Sequence, residues 1–442
     1  MIILFFVLLV LALIVISIIR YDIHPFLALF VGAILYGLLT GMPGDLILKS
    51  IADGFGGVIG KIGLVILLGV IIGTFLEKTG GALVIAQQVL KWIGEKSVTL
   101  AMMITGWVLS IPIFGDSAFV IMSPINKSLS FKAGVPLAAT TVALTLGLTA
   151  THSLVPPTPG PIATAGMLGA DLGLVILWGT IISILALVPC FFFVKYYVAR
   201  FHMAHHAGET EFVAQSRKLP SLGRSTLPIL IPLILIVLAS IATYPTRPMG
   251  EGPLASVLVF LGAPVIALLI GAFLSFNLPE KFEIKLLSSN SWIAHSVAAA
   301  APIILITGAG GVFGMMLQNS GIAELVSQNL SDMNWGLFLP FLMAFALKTA
   351  QGSSTVAMIT TASIVGPLLA VLGLDSDIMK VFTTLAIGCG AIAISHANDS
   401  FFWVMTQMTG MNIKMGNQTH SLGTLLLSCT AILLLYLFSF AF

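Results

Sequence analysis

Lys348-Thr349-Ala350-Gln351-Gly352-Ser353-Ser354-Thr355 decides the fold. The stretch lies inside an apolar run from Gly336 to Leu374, where a lipid-facing helix should carry neither a charge nor a break. A lysine, a glycine and three consecutive hydroxyls fit the tip of a re-entrant hairpin. Two half-helices then meet at bilayer depth, and the freed backbone groups line a site. An equivalent break reads Ile113-Phe114-Gly115-Asp116-Ser117. The two tips predict hairpins over about 98–130 and about 336–372.

Working outward, the chain of 442 residues is 58% hydrophobic and only 8% charged, where a soluble domain carries about 25% charged residues. That composition defines an all-α polytopic membrane protein. The net charge of +2 forms no basic stripe for nucleic acid. Cys190, Cys389 and Cys429 all sit in apolar runs, which excludes a disulfide framework or zinc site. Residues 1–19 read as a retained first span. Spans of roughly 20 apolar residues are predicted near 1–20, 24–40, 58–77, 135–170, 173–198, 225–243, 253–276, 293–318, 378–410 and 419–441. Two of these, 135–170 and 378–410, are too long for one straight helix and carry polar breaks.

The longest polar connection, 199–224, separates two halves of matching layout. Gly69, Gly73, Leu76, Gly80, Ala82 and Gln87 match Gly310, Gly314, Leu317, Gly321, Ala323 and Gln328 at a constant offset of 241. The hairpin tips match at 237, and His152 matches His396 at 244. Residues 1–198 and 225–442 therefore read as two repeats, each with five transmembrane helices, one of them broken, plus one hairpin. Five crossings separate matched spans, so the repeats are inverted, the arrangement used for alternating access. With 199–224 as a cytoplasmic linker, fourteen Lys and Arg lie inside against four outside (Lys49, Lys61, Arg247 and Lys380). That positive-inside bias places both termini outside.

Three groups of residues carry chemistry. Half-helix ends at the tips offer unpaired N–H groups to an anion, and Ser117, Ser353, Ser354 and Thr355 add hydroxyls. The alternative use of such small residues is close helix packing. Asp116, Lys348 and Asp399 are intramembrane charges, each costing at least a few kcal/mol and so pointing to function. Lys348 either meets a substrate carboxylate or pairs with Asp116 or Asp399 to hold the tips. A carboxyl held away from water makes Asp116 the leading proton carrier, ahead of Asp399. The third group is the two breaks, Thr151-His152-Ser153-Leu154-Val155-Pro156-Pro157-Thr158-Pro159-Gly160-Pro161 and Ser395-His396-Ala397-Asn398-Asp399-Ser400. Their unwound backbone exposes carbonyls, and His152 and His396 are candidate proton groups. His202, His205, His206, Glu209 and Glu211 read as a solvated loop rather than a metal site, and no nucleotide-binding motif is present.

Ile111-Pro112-Ile113-Phe114-Gly115-Asp116-Ser117, Leu154 through Pro161, Gln351-Gly352-Ser353-Ser354-Thr355-Val356-Ala357 and Ser395-His396-Ala397-Asn398-Asp399 with Phe402-Trp403 together resemble the gluconate permease family of bacterial symporters. The likeness runs over essentially the whole chain. It implies a secondary transporter of the bacterial inner membrane, in the ion transporter superfamily, that takes up gluconate-like sugar acids or smaller hydroxy or amino acids with protons. Relatives in that superfamily are dimers with a static scaffold and an elevator-like transport body; in this chain the spans near 1–40 and 225–276 are expected to form the scaffold, and the hairpins and broken spans the transport body. The residues themselves are read as giving substrate contacts at Ser117, Lys348, Gly352, Ser353, Ser354, Thr355 and Asn398, and proton coupling at Asp116, His152, His396 and Asp399; the family's basic residue before the second tip is retained as Lys348. The resemblance implies no cofactor. Gluconate-type members carry an aromatic residue and a glutamate where Gly115 and Asp116 stand, and an apolar residue at Ser117. His152 is a further addition, so glycerate stands beside gluconate as the expected substrate. Sodium coupling, a passive channel and a membrane-embedded hydrolase using Asp116 and His152 are the alternatives.

Overall fold

A 36-residue helix, Gly44–Thr79 (α3), runs alongside a 28-residue helix, Trp292–Asn319 (α13). Gly54 and Gly311 make this approach possible: a Cβ on either would strike the other's carbonyl oxygen. Close backbone contact at small residues is how helices associate in a membrane, where burying apolar side chains gains little. The computed structural model describes residues 2–21, 23–94, 97–201, 219–243, 249–250, 252–321, 336–396 and 399–440. All regular elements among them are helical.

In chain order the remaining helices are α1 (Ile2–Tyr21), α2 (Pro25–Leu39), α4 (Gly81–Ile93), α5 (Val98–Leu109), α6 (Gly115–Ala133), α7 (Leu137–Leu154), α8 (Pro159–Leu168), α9 (Leu172–Tyr196), α10 (Leu222–Thr243), α11 (Pro253–Leu261) and α12 (Pro264–Ser275). After α13 come α14 (Phe338–Gln351), α15 (Ser354–Val365), α16 (Asp377–Ile392), α17 (Ser400–Thr409) and α18 (Leu422–Ser439). Helix α18 is entered through one helical turn, Ile413–Gly416, and a π-helical turn, Asn417–Ser421.

Each of the three breaks has a local cause. Helix α7 stops at Leu154 because Val155 is extended (φ −122°, ψ 116°), as a residue preceding proline prefers. Helix α8 starts on Pro159, a position that needs no N–H donor. The 351–354 break turns on Gly352, whose φ of +87° only glycine adopts without strain. Helix α17 begins at Asp399, whose carboxylate caps it by accepting from the Phe401 N–H at 3.0 Å.

The broken pair α7–α8 forms the protein interior. Its most apolar stretch is 89% buried, against 39–50% for the other long apolar helices. Glycines seat the first hairpin on it: a Cβ at Gly106 or Gly147 would strike the carbonyl of Leu144 or Met103, locking α5 to α7. Gly390 does the same for α16 against the Phe341 carbonyl of α14.

Several boundaries differ from the sequence reading. The span expected at 58–77 begins at Gly44. Helix α4 was not expected; Gly80, with φ +77°, turns the chain between it and α3. The single span expected at 253–276 is two short helices bent by 66°. Pro264 disfavours helix at Ala263, and Gly262 is pressed onto the Leu235 carbonyl. By length and composition six described helical stretches suffice to cross a membrane, or seven with the bent pair as one. At other positions where crossings were expected the structure has shorter helices, such as α2, α16 and α17. Most of the 199–224 connection, with its histidines and glutamates, lies outside the described residues, as do Ala323 and Gln328.

Candidate functional site

Both hairpin tips, helix α7 and the α16–α17 break converge on one cavity of about 390 Å³. Phe114, Gly115 and Asp116 come from the first tip, and Gly352, Ser353, Ser354 and Thr355 from the second. Helix α7 contributes Leu148, Thr149 and His152. The break adds Ile392, Ser395, Asp399, Ser400 and Phe401, and Lys348 completes the lining.

The charged groups are unequally matched. Lys348 is 2% exposed, at the last turn of α14. Its ammonium donates to Asp399 Oδ2 at 2.6 Å and to the Gly352 carbonyl. Asp399 is 7% exposed; Oδ2 also accepts from the Ser395 hydroxyl at 2.6 Å, and Oδ1 caps α17. Charge-assisted bonds of this kind are the strong ones, and here they tie the second tip to the second break. Asp116, one residue into α6, is exposed to the cavity and makes no hydrogen bond or ion pair among the described residues. The lining thus holds two carboxylates against one ammonium that is already committed. Helix α15 starts on the cavity with Ser353 as its cap, accepting from the Val356 N–H at 3.3 Å. His152 packs its ring 6.3 Å from that of Phe114, and its Nδ1 is buried with no hydrogen-bond partner among the described residues.

Of the residues singled out in the sequence, Asp116, His152, Lys348, Gly352, Ser353, Ser354, Thr355 and Asp399 share this cavity. Ser117 does not. It lines a second cavity of about 260 Å³, with Gly69, Gly73, Glu77, Pro157, Thr158 and His295 among its walls. Successive helical residues point about 100° apart, so Asp116 and Ser117 face different spaces, and Phe114 lines both. His396 points elsewhere, with Nε2 3.0 Å from the Thr349 carbonyl oxygen. Asn398 lies outside the described residues. The sequence reading missed Thr149, Ser395 and Ser400 as lining groups. Thr149 was recoverable, being one helical turn from His152 on the same face.

A helical membrane protein with a polar cavity walled by broken helices and hairpin tips belongs to the class of multi-pass membrane transporters. The fold agrees with a solved one: the YdaH transporter of Alcanivorax borkumensis superposes with a TM-score of 0.68 over 95% of this chain and 99% of that one, at 13% identity. Residues 1–441 match the family model described as GntP family permease, and the chain belongs to that family. Similar proteins include an uncharacterized permease of Haemophilus influenzae, 35% identical over 89% of this chain and 83% of its own length. A gluconate permease of Pseudomonas aeruginosa is 32% identical over 96% of this chain and 95% of its own length. A D-serine transporter of Escherichia coli is 32% identical over 97% and 96%, respectively. The chain is a permease, not an enzyme.

Proposed function

We propose that this permease is a proton symporter of the bacterial inner membrane that imports a small hydroxy monocarboxylate, either a gluconate-like sugar acid or glycerate. The observation that carries the reading is the charge imbalance of the cavity. Lys348 is committed to Asp399, and Asp116 has no ion-pair partner of its own among the described residues. An entering carboxylate at about 6 Å from an ionised Asp116 is repelled by about 3 kcal/mol at an effective dielectric of about 20. That is about a hundredfold in affinity. Protonation of Asp116 removes the repulsion, so the anion and a proton enter together. The carboxylate is then held by the start of α15 and its Ser353, Ser354 and Thr355 groups, with Thr149 and His152 facing the hydroxyl end. Lys348 acts through Asp399 rather than as the direct partner of the anion.

Proton coupling is favoured over sodium for a related reason. Two oxygens that could have held a sodium ion, the Asp399 carboxylate at the second break and the Gly352 carbonyl at the second tip, are taken up by the Lys348 ammonium. The inverted-repeat reading is supported by duplicated packing. Helices α5 on α7, α7 on α9 and α8 on α15 have counterparts in α14 on α16, α16 on α18 and α17 on α6. In this reading the hairpins and broken spans move as one elevator-like body against a dimeric scaffold, with both termini outside and 199–224 cytoplasmic. Residues 1–198 and 225–442 are the two repeats.

The test is uptake of labelled gluconate, glycerate and D-serine into proteoliposomes under an imposed pH gradient, and separately under a sodium gradient. Accumulation of a hydroxy acid with the pH gradient alone is expected. Accumulation with sodium alone, or of D-serine alone, would overturn the assignment.

A further inference from the structure

One layer from the cavity lies a buried polar cluster that none of these roles uses. Its centre is the π-helical turn Asn417–Ser421 at the head of α18. Such turns recur at functional sites, because the additional residue re-aims the side chains around it. Here the turn and the first residues of α18 reach three separate parts of the site. The Ser421 hydroxyl donates to the Ser395 carbonyl, and Thr424 Oγ1 accepts from the Ser395 N–H at 3.1 Å. Both backbone groups of Ser395 are therefore held, in a segment that has no helical partners of its own. The Ser395 hydroxyl in turn donates to Asp399, which holds Lys348. Between Asn417 and Ser421 sits His420, with no exposed surface. Its Nδ1 is 3.0 Å from Thr145 Oγ1 on α7, and its ring meets Phe401, a cavity-lining residue, edge-on at 5.8 Å. Nε2 has no hydrogen-bond partner among the described residues.

We propose that the π-turn is the device that positions Ser395, and through it Asp399, and that His420 is its positioning residue. By bonding to α7 it fixes the turn against the first broken helix, and through Ser421 and Ser395 it sets where Asp399 meets Lys348. The two breaks, distant in sequence, are thereby held to one geometry. His420 touches no substrate; Phe401 stands between it and the cavity. The inference rests on the reading of that cavity as the substrate site.

The experiment compares initial transport rates across substrate concentration in proteoliposomes, for variants that stay monodisperse on gel filtration. His420→Ala removes the bond between the turn and α7, leaving the Thr145 hydroxyl only the Val142 carbonyl at 3.1 Å, and is expected to raise the substrate KM about tenfold with Vmax within about twofold. His420→Asn keeps a polar atom near the Nδ1 position and is expected to restore KM to within about threefold of the parent. Ser421→Ala raises KM in the same way, and the double variant is no worse than the worse single, because both act through one unit. Should His420→Ala fail to fold, Thr145→Val removes the same bond from the other side and carries the same expectation. An unchanged KM in His420→Ala or Thr145→Val, or equal damage from His420→Ala and His420→Asn, overturns the proposal. Ser354→Ala is run in parallel: if it too leaves KM unchanged, the reading of the cavity as the substrate site fails; if it alone raises KM, only the positioning role fails.

Discussion

Replacing Lys348 by Met separates a structural ammonium from one that meets the substrate. In the parent its charge is buried at 2.6 Å from Asp399, and both side chains are nearly inaccessible. Removing one partner of such a pair leaves an uncompensated buried charge, a loss of about 3–5 kcal/mol. Replacing both by neutral groups removes that charge as well, and such double replacements are often neutral. Lys348→Met and Asp399→Asn alone should therefore each lower stability by several kcal/mol, while Lys348→Met/Asp399→Asn should return to within about 1 kcal/mol of the parent. The assay is unfolding of detergent-solubilised protein in denaturant, followed by substrate binding on whichever variants remain folded. Because the anion is assigned to the α15 start and its hydroxyls, the double variant should bind within about tenfold of the parent. A double variant that is as unstable as the singles would refute the pairing energetics. A double variant that folds but shows no binding would refute the separation of Lys348 from the anion.

Three further outcomes follow from the geometry. Gly73→Ala drives a methyl into the Pro112 carbonyl oxygen, a backbone atom that cannot rotate away, so the first hairpin should be displaced from α3 with a loss of about 1–3 kcal/mol and slowed transport, checked by thermal inactivation and uptake. Phe114→Ala removes the ring that lines both the central and the second cavity; continuity between them should appear as substrate efflux that no longer needs a proton gradient, measured by dilution of loaded vesicles. Thr149→Ala should raise the KM for a hydroxy acid about threefold to tenfold and leave that for a deoxy analogue unchanged, since one hydrogen bond is at stake, and equal changes for both would remove Thr149 from the hydroxyl end.

The sequence carries the tips and the breaks openly, because a glycine, a proline run or a charge stands out in an apolar stretch. The 348–355 and 113–117 segments do meet at one cavity for that reason. Ser117 was misplaced because adjacency in sequence is not adjacency on a helix: one residue beyond Asp116 is about 100° around the axis. The Lys348–Asp399 pairing was legible only as one of several options, since side-chain partners 51 residues apart depend on packing. His420 gave no signal at all. A histidine among Gln418, Thr419 and Ser421 reads as a solvated helix end, and a π-turn leaves no pattern in local propensity. Helix α4 and the bend at Gly262 were hidden by apolar residues that suit either a long span or two short helices.

In the proposed symport a proton enters with each anion because Asp116 has no ion-pair partner of its own among the described residues. The direct measurement is lumenal pH, followed with a trapped dye in proteoliposomes given glycerate or gluconate without any imposed gradient. Substrate addition should acidify the lumen, and Asp116→Asn should abolish that acidification while retaining exchange of labelled for unlabelled substrate. Uptake without acidification in the parent, or acidification that survives in Asp116→Asn, would contradict the account.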